Sequence, residues 1–266
     1  MSAKIALFGA GGKMGVRLSL NLKGSAFEVR HVEPGEVGRA RLRDEVGVTC
    51  LSVDEALDGA DVVILAVPDS LIGKLAAEIS PQLKPGTMVM TLDAAAPFAG
   101  HLPARDDLVY FVAHPCHPSI FHPLAHVDGK PDYFGGVAAP QSIVSALMQG
   151  PDSAWELGEA IAKTIYQPID RSYRVTVEQM ALLEPGLSET VCATLLDVMR
   201  EAMDEVVSRG VPADAARDFL LGHMTILSAV IFKQIPGQFS DACNKAITFG
   251  KPRLMRYVWY KIFDHE

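Results

Sequence analysis

Between residues 9 and 15 the chain reads Gly9-Ala-Gly11-Gly12-Lys13-Met14-Gly15, and this run constrains the fold more than any other feature. It follows a short apolar run, KIALF at 4–8, and precedes a stretch with helical spacing at 14–22. A strand, a glycine turn and a helix in that order put unsatisfied N–H groups and the positive end of a helix dipole at the mouth of the turn. Glycine suits such a turn for three reasons: it is tight, a pyrophosphate must approach its backbone, and the helix must pack close to the strand. The spacing, GxxGxxG or GxGxxxG, is one residue looser than the commonest dinucleotide fingerprint. Glu33 strengthens the reading, because it ends a second expected strand at 27–33 and stands 18 residues after Gly15. A carboxylate there accepts hydrogen bonds from the adenosine ribose hydroxyls and repels a 2′-phosphate, so the expected cofactor is NAD. Arg39 and Arg41 lie close enough in sequence to keep NADP as the alternative.

Short apolar strands are expected at 48–50, 61–67, 87–92 and 108–113, alternating with helical stretches at 39–44, 53–57 and 70–79. Strands that are apolar on both faces and separated by helices imply an α/β fold, a doubly wound parallel sheet covered on two sides. Later strands at 143–148 and 174–177 flank a helix at 154–165. Beyond about residue 178 the strand signals stop, and one long helix is expected over 187–208, apolar at Leu187, Val191, Leu195, Val198 and Met199. Pro212 is placed to start another, apolar on nearly every side from Phe219 to Phe232 and therefore expected to be buried against a second subunit. The expected organisation is a Rossmann-type NAD-binding domain over 1–175 and an all-helical substrate and dimerisation domain over 176–266.

Composition narrows the partners. The net charge of −8 comes without a long run of either sign, so no basic stripe invites nucleic acid or an anionic membrane. No apolar run reaches the roughly 20 residues of a membrane span, and residues 1–12 lack the features of a signal peptide. Cys50, Cys116, Cys192 and Cys243 are scattered without CxxC spacing, which fits reduced thiols in a cytoplasm. The mean hydropathy of +0.19 is high for a lone soluble domain and points to a homodimer.

Chemistry-bearing residues gather at the carboxyl ends of the expected strands, where open α/β sheets bind ligands. Val67-Pro68-Asp69 and Asp93-Ala-Ala-Ala96 stand there, with small residues that would let a nicotinamide lie flat. Five of the eight histidines fall between residues 101 and 126, most densely in His114-Pro115-Cys116-His117-Pro118. Two prolines stiffen that loop and hold its side chains in fixed directions. His114, nearest the strand end, is the expected metal ligand and His117 a reserve acid or base; His122 and His126 are read as surface residues and Cys116 as a bystander. Glu178, Glu184 and Glu189 enter the long helix around Pro185, with Glu184 and Glu189 expected as first-turn neighbours of its positive end. Glu184 is the candidate second metal ligand and Glu189 the candidate general acid or base, with plain charge complementarity at a helix start as the alternative for each glutamate. Asn244, Lys245, Lys251 and Arg253 offer groups for a substrate carboxylate, although at least two are read as ordinary surface cations.

Taken together, GAGGKMG, DVVILAVPDS, the HPCHPS loop and RGVPADAARDFLLGHM resemble the 6-phosphogluconate dehydrogenase-like superfamily over nearly the whole chain. The resemblance implies an NAD(P) Rossmann domain followed by a helical domain that intertwines in a dimer. It also implies a departure: where the phosphogluconate and β-hydroxyacid enzymes open their long helix with a catalytic Lys and an Asn four residues on, this chain has Glu184-Pro185-Gly-Leu-Ser-Glu189. Carboxylates there look more like the metal-dependent reductoisomerases, in which an acyl or alkyl shift accompanies hydride transfer. Within the superfamily the chain is most similar to D-apionate oxidoisomerases, which convert a branched sugar acid to 3-oxo-isoapionate with NAD. Two alternatives stay open at this level: a metal-free NAD(P)-dependent β-hydroxyacid or prephenate-type dehydrogenase, and a non-catalytic NAD-binding sensor.

Overall fold

The structure is a computed structural model that describes residues 2–123 and 125–264. Contacts within the chain gather it into two units, Met1–Ala181 and Leu182–Glu266. In the first, β1 (Lys4–Phe8) leads through the glycine turn into α1 (Lys13–Leu22), then β2 (Glu28–Val32), α2 (Glu36–Arg41), α3 (Val53–Leu57) and β3 (Val62–Leu65). There follow α4 (Asp69–Ile79), β4 (Met88–Thr91), α5 (Ala95–Phe98) and β5 (Val109–Pro115). A small hairpin of β6 (His126–Val127) and β7 (Lys130–Pro131) precedes β8 (Gln141–Gln149), α6 (Trp155–Ile165), β9 (Ile169–Arg174) and α7 (Val177–Ala181).

The seven-stranded sheet runs β2-β1-β3-β4-β5-β8-β9. Chain order reverses between β1 and β3, so the carboxyl ends of those strands flank the switch point at which such sheets bind nucleotides. Four-residue strands such as β3 are buried at every position because helices cover both faces. One face packs Ile5, Leu7, Leu18, Ile64 and Phe111 among its core. The other packs Ala6, Phe8, Val63, Ile72 and Tyr110. Gly158 of α6 lies so close to the sheet that a Cβ there would stand 2.4 Å from the Phe111 ring.

The sheet departs from the sequence expectation in three places. β8 runs antiparallel to β5, because a loop and hairpin, rather than a crossover helix, join the two strands. The last strand is Ile169–Arg174 instead of 174–177; it is a polar edge strand defined by its pairing with β8 and not by apolar alternation. The segment 48–50 forms only an isolated bridge from Cys50 to His31. The helix expected over 39–44 also begins earlier, at Glu36, and passes into a π-helical turn, Leu42–Val46.

In the second unit a π-helical segment, Leu182–Ala193, is followed by α8 (Thr194–Ser208), α9 (Ala213–Ile231) and α10 (Asp241–Leu254). Pro185 falls inside the first segment rather than at a helix start, where a wider turn accommodates its missing N–H. Pro212 is the N-cap of α9. The apolar side of α9 is not buried within the chain: Phe219 is 69% exposed and Phe232 66%. No helix of the described residues is long and apolar enough to cross a membrane.

Candidate active site

Gly9, Gly11 and Gly15 each have a steric reason to be glycine. Gly9 has φ +70°, and a Cβ on it would stand 2.3 Å from the Ala66 carbonyl oxygen at the end of β3. A Cβ on Gly15 would stand 2.1 Å from the Gly9 oxygen, so α1 can begin this close to β1 only with hydrogen at that position. Gly12 is the N-cap of α1, and its N–H donates to the Gly9 oxygen at 3.0 Å. Lys13 opens the helix on the exposed side, and Met14 packs against the core. Glu33 reaches back to this turn: its Oε2 accepts the Gly11 N–H at 3.0 Å and its Oε1 the Gly35 N–H at 2.9 Å. Each carboxylate oxygen thereby keeps a lone-pair direction for a further donor.

At the end of β3, Val67 is half-buried, Pro68 caps α4, and Asp69 lies in the first turn of that helix. Asp69, Ser70, Lys74, Ala95 and His101 line a cavity of about 590 Å³. At the end of β4, Asp93 Oδ1 accepts the Ala95 N–H at 2.6 Å, which starts α5. Asp93 Oδ2 lies 3.9 Å from Nδ1 of His114, the penultimate residue of β5. His114 Nδ1 sits 2.8 Å from the Leu92 carbonyl oxygen. A carbonyl can only accept, so Nδ1 carries the proton and, in the neutral ring, Nε2 carries the lone pair. Beneath this pair the buried Tyr166 hydroxyl donates to the Ala113 oxygen at 3.1 Å; burial, with Asp93 nearby, pushes its phenol far up, so it remains a donor.

His117 is held in the same way. Its backbone is left-handed, φ 59°, and its Nδ1 sits 2.9 Å from the Phe134 oxygen. The His114 and His117 rings meet edge-on with centroids 6.2 Å apart. The segment carrying Phe134 is anchored by Asp132, a residue the sequence reading passed over. Its buried carboxylate takes Arg17 at 3.1 Å and the N–H groups of Val137, Ala138 and Ala139. Burial pushes this carboxyl up, but the Ala138 and Ala139 N–H groups and the Arg17 guanidinium outweigh it and hold the group below the ordinary carboxylate range. A carboxyl depressed in the folded state stabilises the protein fully above its unfolded value of about 4 and loses that contribution as pH falls through the folded value. Asp132→Asn is therefore expected to cost about 2 kcal/mol near neutral pH. In urea melts the gap to the parent chain should close as the solution is acidified below about pH 4; a gap independent of pH would contradict the assignment.

The remaining residues spread more widely. His122 lies 3.5 Å from Asp170, on the surface, and the Cys116 side chain is exposed. Glu178 is in the first turn of α7 and Glu184 in the first turn of the π-helical segment, whereas Glu189 falls beyond that turn because the helix starts before Pro185. On α10, Lys251 and Arg253 line a cavity of about 1060 Å³ with Tyr257 and Trp259. Arg253 stacks over Phe249 at 3.6 Å. Asn244 bonds the Phe239 oxygen.

Comparison with known proteins extends this picture. Residues 1–116 match the family described as acetohydroxy acid isomeroreductase, NADPH-binding domain. Residues 125–266 match the family described as phosphogluconate dehydrogenase (decarboxylating) C-term. The chain is 72% identical over 266 residues to D-apionate oxidoisomerase of Cupriavidus necator, covering 100% of this chain and 96% of that one. It is 68% identical over 260 residues to D-apionate oxidoisomerase of Rhizobium rhizogenes, with 98% and 94% covered. A crystal structure described as a semialdehyde dehydrogenase NAD-binding protein from Cupriavidus necator, in complex with calcium and NAD, superposes with a TM-score of 0.96 at 72% identity, covering 100% of this chain and 96% of that one.

Proposed function

This chain belongs to the D-apionate oxidoisomerase family within the 6-phosphogluconate dehydrogenase-like oxidoreductases, and we infer from that membership that it oxidises D-apionate with NAD and rearranges the carbon skeleton to 3-oxo-isoapionate. The observation that carries the reading is 72% identity sustained over the full chain. The glycine turn fits a dinucleotide because its hydrogens let α1 start against β1, which leaves the helix N-terminus at the mouth of the turn. Glu33 favours NAD even though residues 1–116 match a family described as NADPH-binding, since its carboxylate would repel a 2′-phosphate. When bound, NAD accepts the hydride released by the substrate carbinol.

A divalent cation is the second group, held by His114 and Glu184 with Asp93 beside the histidine. The donor set of imidazole nitrogen and carboxylate oxygens suits such an ion. Supporting it are the lone pair that the Leu92 contact leaves on His114 Nε2 and the calcium in the structure of the 72% identical relative. When bound, the cation supplies Lewis acidity to hydroxyl and carbonyl oxygens of the substrate. The Leu92 oxygen fixes the His114 ring, a support that metal-binding histidines need if they are to keep their direction. Glu189 takes the hydroxyl proton as general base, and His117, its ring fixed by the Phe134 oxygen, is the alternative proton carrier. Lys251 and Arg253 offer cations to the substrate carboxylate.

The protein acts as a cytoplasmic homodimer in this reading. Over Leu182–Glu266 only Ala216 and Ala229 are buried apolar residues among those described, too little to offset the entropy of ordering such a segment without a further surface. Cysteines scattered without CxxC spacing suit a reducing compartment.

The test supplies D-apionate and NAD to the purified protein, follows NADH, and identifies the product by NMR with and without a chelator. NADH formation with a relocated carbon substituent, slowed by the chelator, is expected. Oxidation without rearrangement would instead indicate a simple dehydrogenase. Tight NAD binding with no NADH from any sugar acid would indicate a sensor.

A further inference from the structure

Gly38 lies in the middle of α2, a six-residue helix with no buried residue of its own. Glycine is among the poorest helix formers, so local propensity would favour alanine there. Tertiary geometry does not. A Cβ on Gly38 would stand 2.6 Å from Cδ and 2.7 Å from Cγ of Glu33, in the space the glutamate side chain now fills. Gly38 also backs directly onto the phosphate turn, since a Cβ on Gly11 would stand 2.4 Å from the Gly38 Cα. Both backbone groups of Gly11 are taken by this region: Glu33 accepts its N–H at 3.0 Å, and Arg41 donates to its carbonyl at 2.8 Å. The neighbouring cations are tied into the same segment, Arg39 to Glu36 and the Pro34 oxygen, and Arg43 to Glu36.

We propose that Gly38 is a positioning residue for cofactor choice: its missing side chain lets Glu33 lie back onto Gly11 with both oxygens facing the adenosine ribose, and so sets the preference for NAD over NADP. The proposal rests on the NAD reading above and names a residue that acts through Glu33 without touching the cofactor. A methyl group at position 38 pushes the Glu33 carboxylate off the Gly11 and Gly35 N–H groups and away from the ribose, while Arg39 and Arg41 stay in place. The anionic group that repels a 2′-phosphate is displaced and the cations that tolerate one remain.

The experiment is a double-mutant cycle of G38A and E33A, with KM and kcat measured for NAD and for NADP and melting temperatures measured alongside. G38A is expected to raise KM for NAD about tenfold, the loss of one charge-assisted hydrogen bond. It should leave kcat within about twofold and lower the NAD-to-NADP preference about tenfold. Added to E33A, where no carboxylate remains to be displaced, G38A should change KM for NAD by less than about twofold. E33D, one methylene shorter, should partly restore NAD binding to G38A. If G38A alone proves too unstable to assay, recovery of folding and of E33A-level NAD binding in the double variant supports the proposal, and failure to recover overturns it. An unchanged KM in G38A overturns it, as does an equal rise in both backgrounds. A parent chain that prefers NADP or does not bind NAD would refute the underlying reading instead, and the parent titration separates the two failures.

Discussion

His114→Ala is expected to lower turnover by about a hundredfold or more while NAD affinity stays within about twofold of the parent value. The size follows from what loss of lesser partners costs. Removing only an outer-shell partner of a metal ligand typically costs about 10–100-fold in affinity or activity, so removing the ligand should cost at least as much. The selectivity follows from placement. His114 is the penultimate residue of β5, and its Nδ1 bonds the Leu92 oxygen just beyond β4, whereas the proposed NAD cradle lies at the ends of β1 and β3. The alanine variant leaves the Leu92 oxygen partly solvated and the β4–β5 pairing intact. Glu184→Gln should behave in parallel, because the amide nearly preserves shape while losing the anion that balances a divalent charge. Divalent-ion titration by calorimetry, NAD titration by fluorescence and steady-state NADH formation check the three quantities. Unimpaired turnover in either variant removes that residue from the mechanism, and a parallel fall in NAD affinity would mean a structural role instead.

Gly15→Ala is the second large effect. The added methyl would meet the Gly9 oxygen at 2.1 Å and the Ala10 oxygen at 2.6 Å, and both are main-chain atoms of the turn itself. No side chain can rotate away, so the start of α1 must move off β1. A shift of an ångström at the end of a helix misdirects the N–H groups proposed to hold pyrophosphate, and misplacement on that scale costs about a hundredfold in function. NAD binding should weaken by about that factor, with about 1–3 kcal/mol of stability lost to overpacking. Gly12→Ala is the internal control: its Cβ would stand 3.3 Å from the Gly9 oxygen, tight but open to a small adjustment. Its effect should be several times smaller in NAD titration and in thermal melts. Equal effects at the two positions would mean that the turn does not hold the cofactor as described.

The parts of this protein that were legible in the sequence share a local cause. β1, β3 and β4 are apolar on both faces because helices cover both, and that demand is written residue by residue into 5–8, 62–65 and 88–91. The glycine turn was legible because tight turns and close backbone approach leave few residue choices. Strand direction was not. Nothing within 141–149 states that β8 runs against β5; the path of the chain from 116 to 140 decides it. The edge strand β9 reads IDRSYR, which has no apolar alternation, and exists through its bonds to β8.

At the site the division runs the same way. The sequence alone determined that a carboxylate follows β2, that histidines crowd the end of β5, and that Glu184 and Glu189 flank Pro185. Residue type and position along a strand or helix are one-dimensional facts. Only the tertiary structure decided which nitrogen of His114 faces Leu92, that Asp93 stands 3.9 Å from that same nitrogen, and that Asp132 anchors the segment behind His117. It alone showed that Gly38 makes room for Glu33. These are contacts between residues far apart in the chain, set by how layers pack, and a close approach leaves no mark in the sequence beyond a residue small enough to permit it.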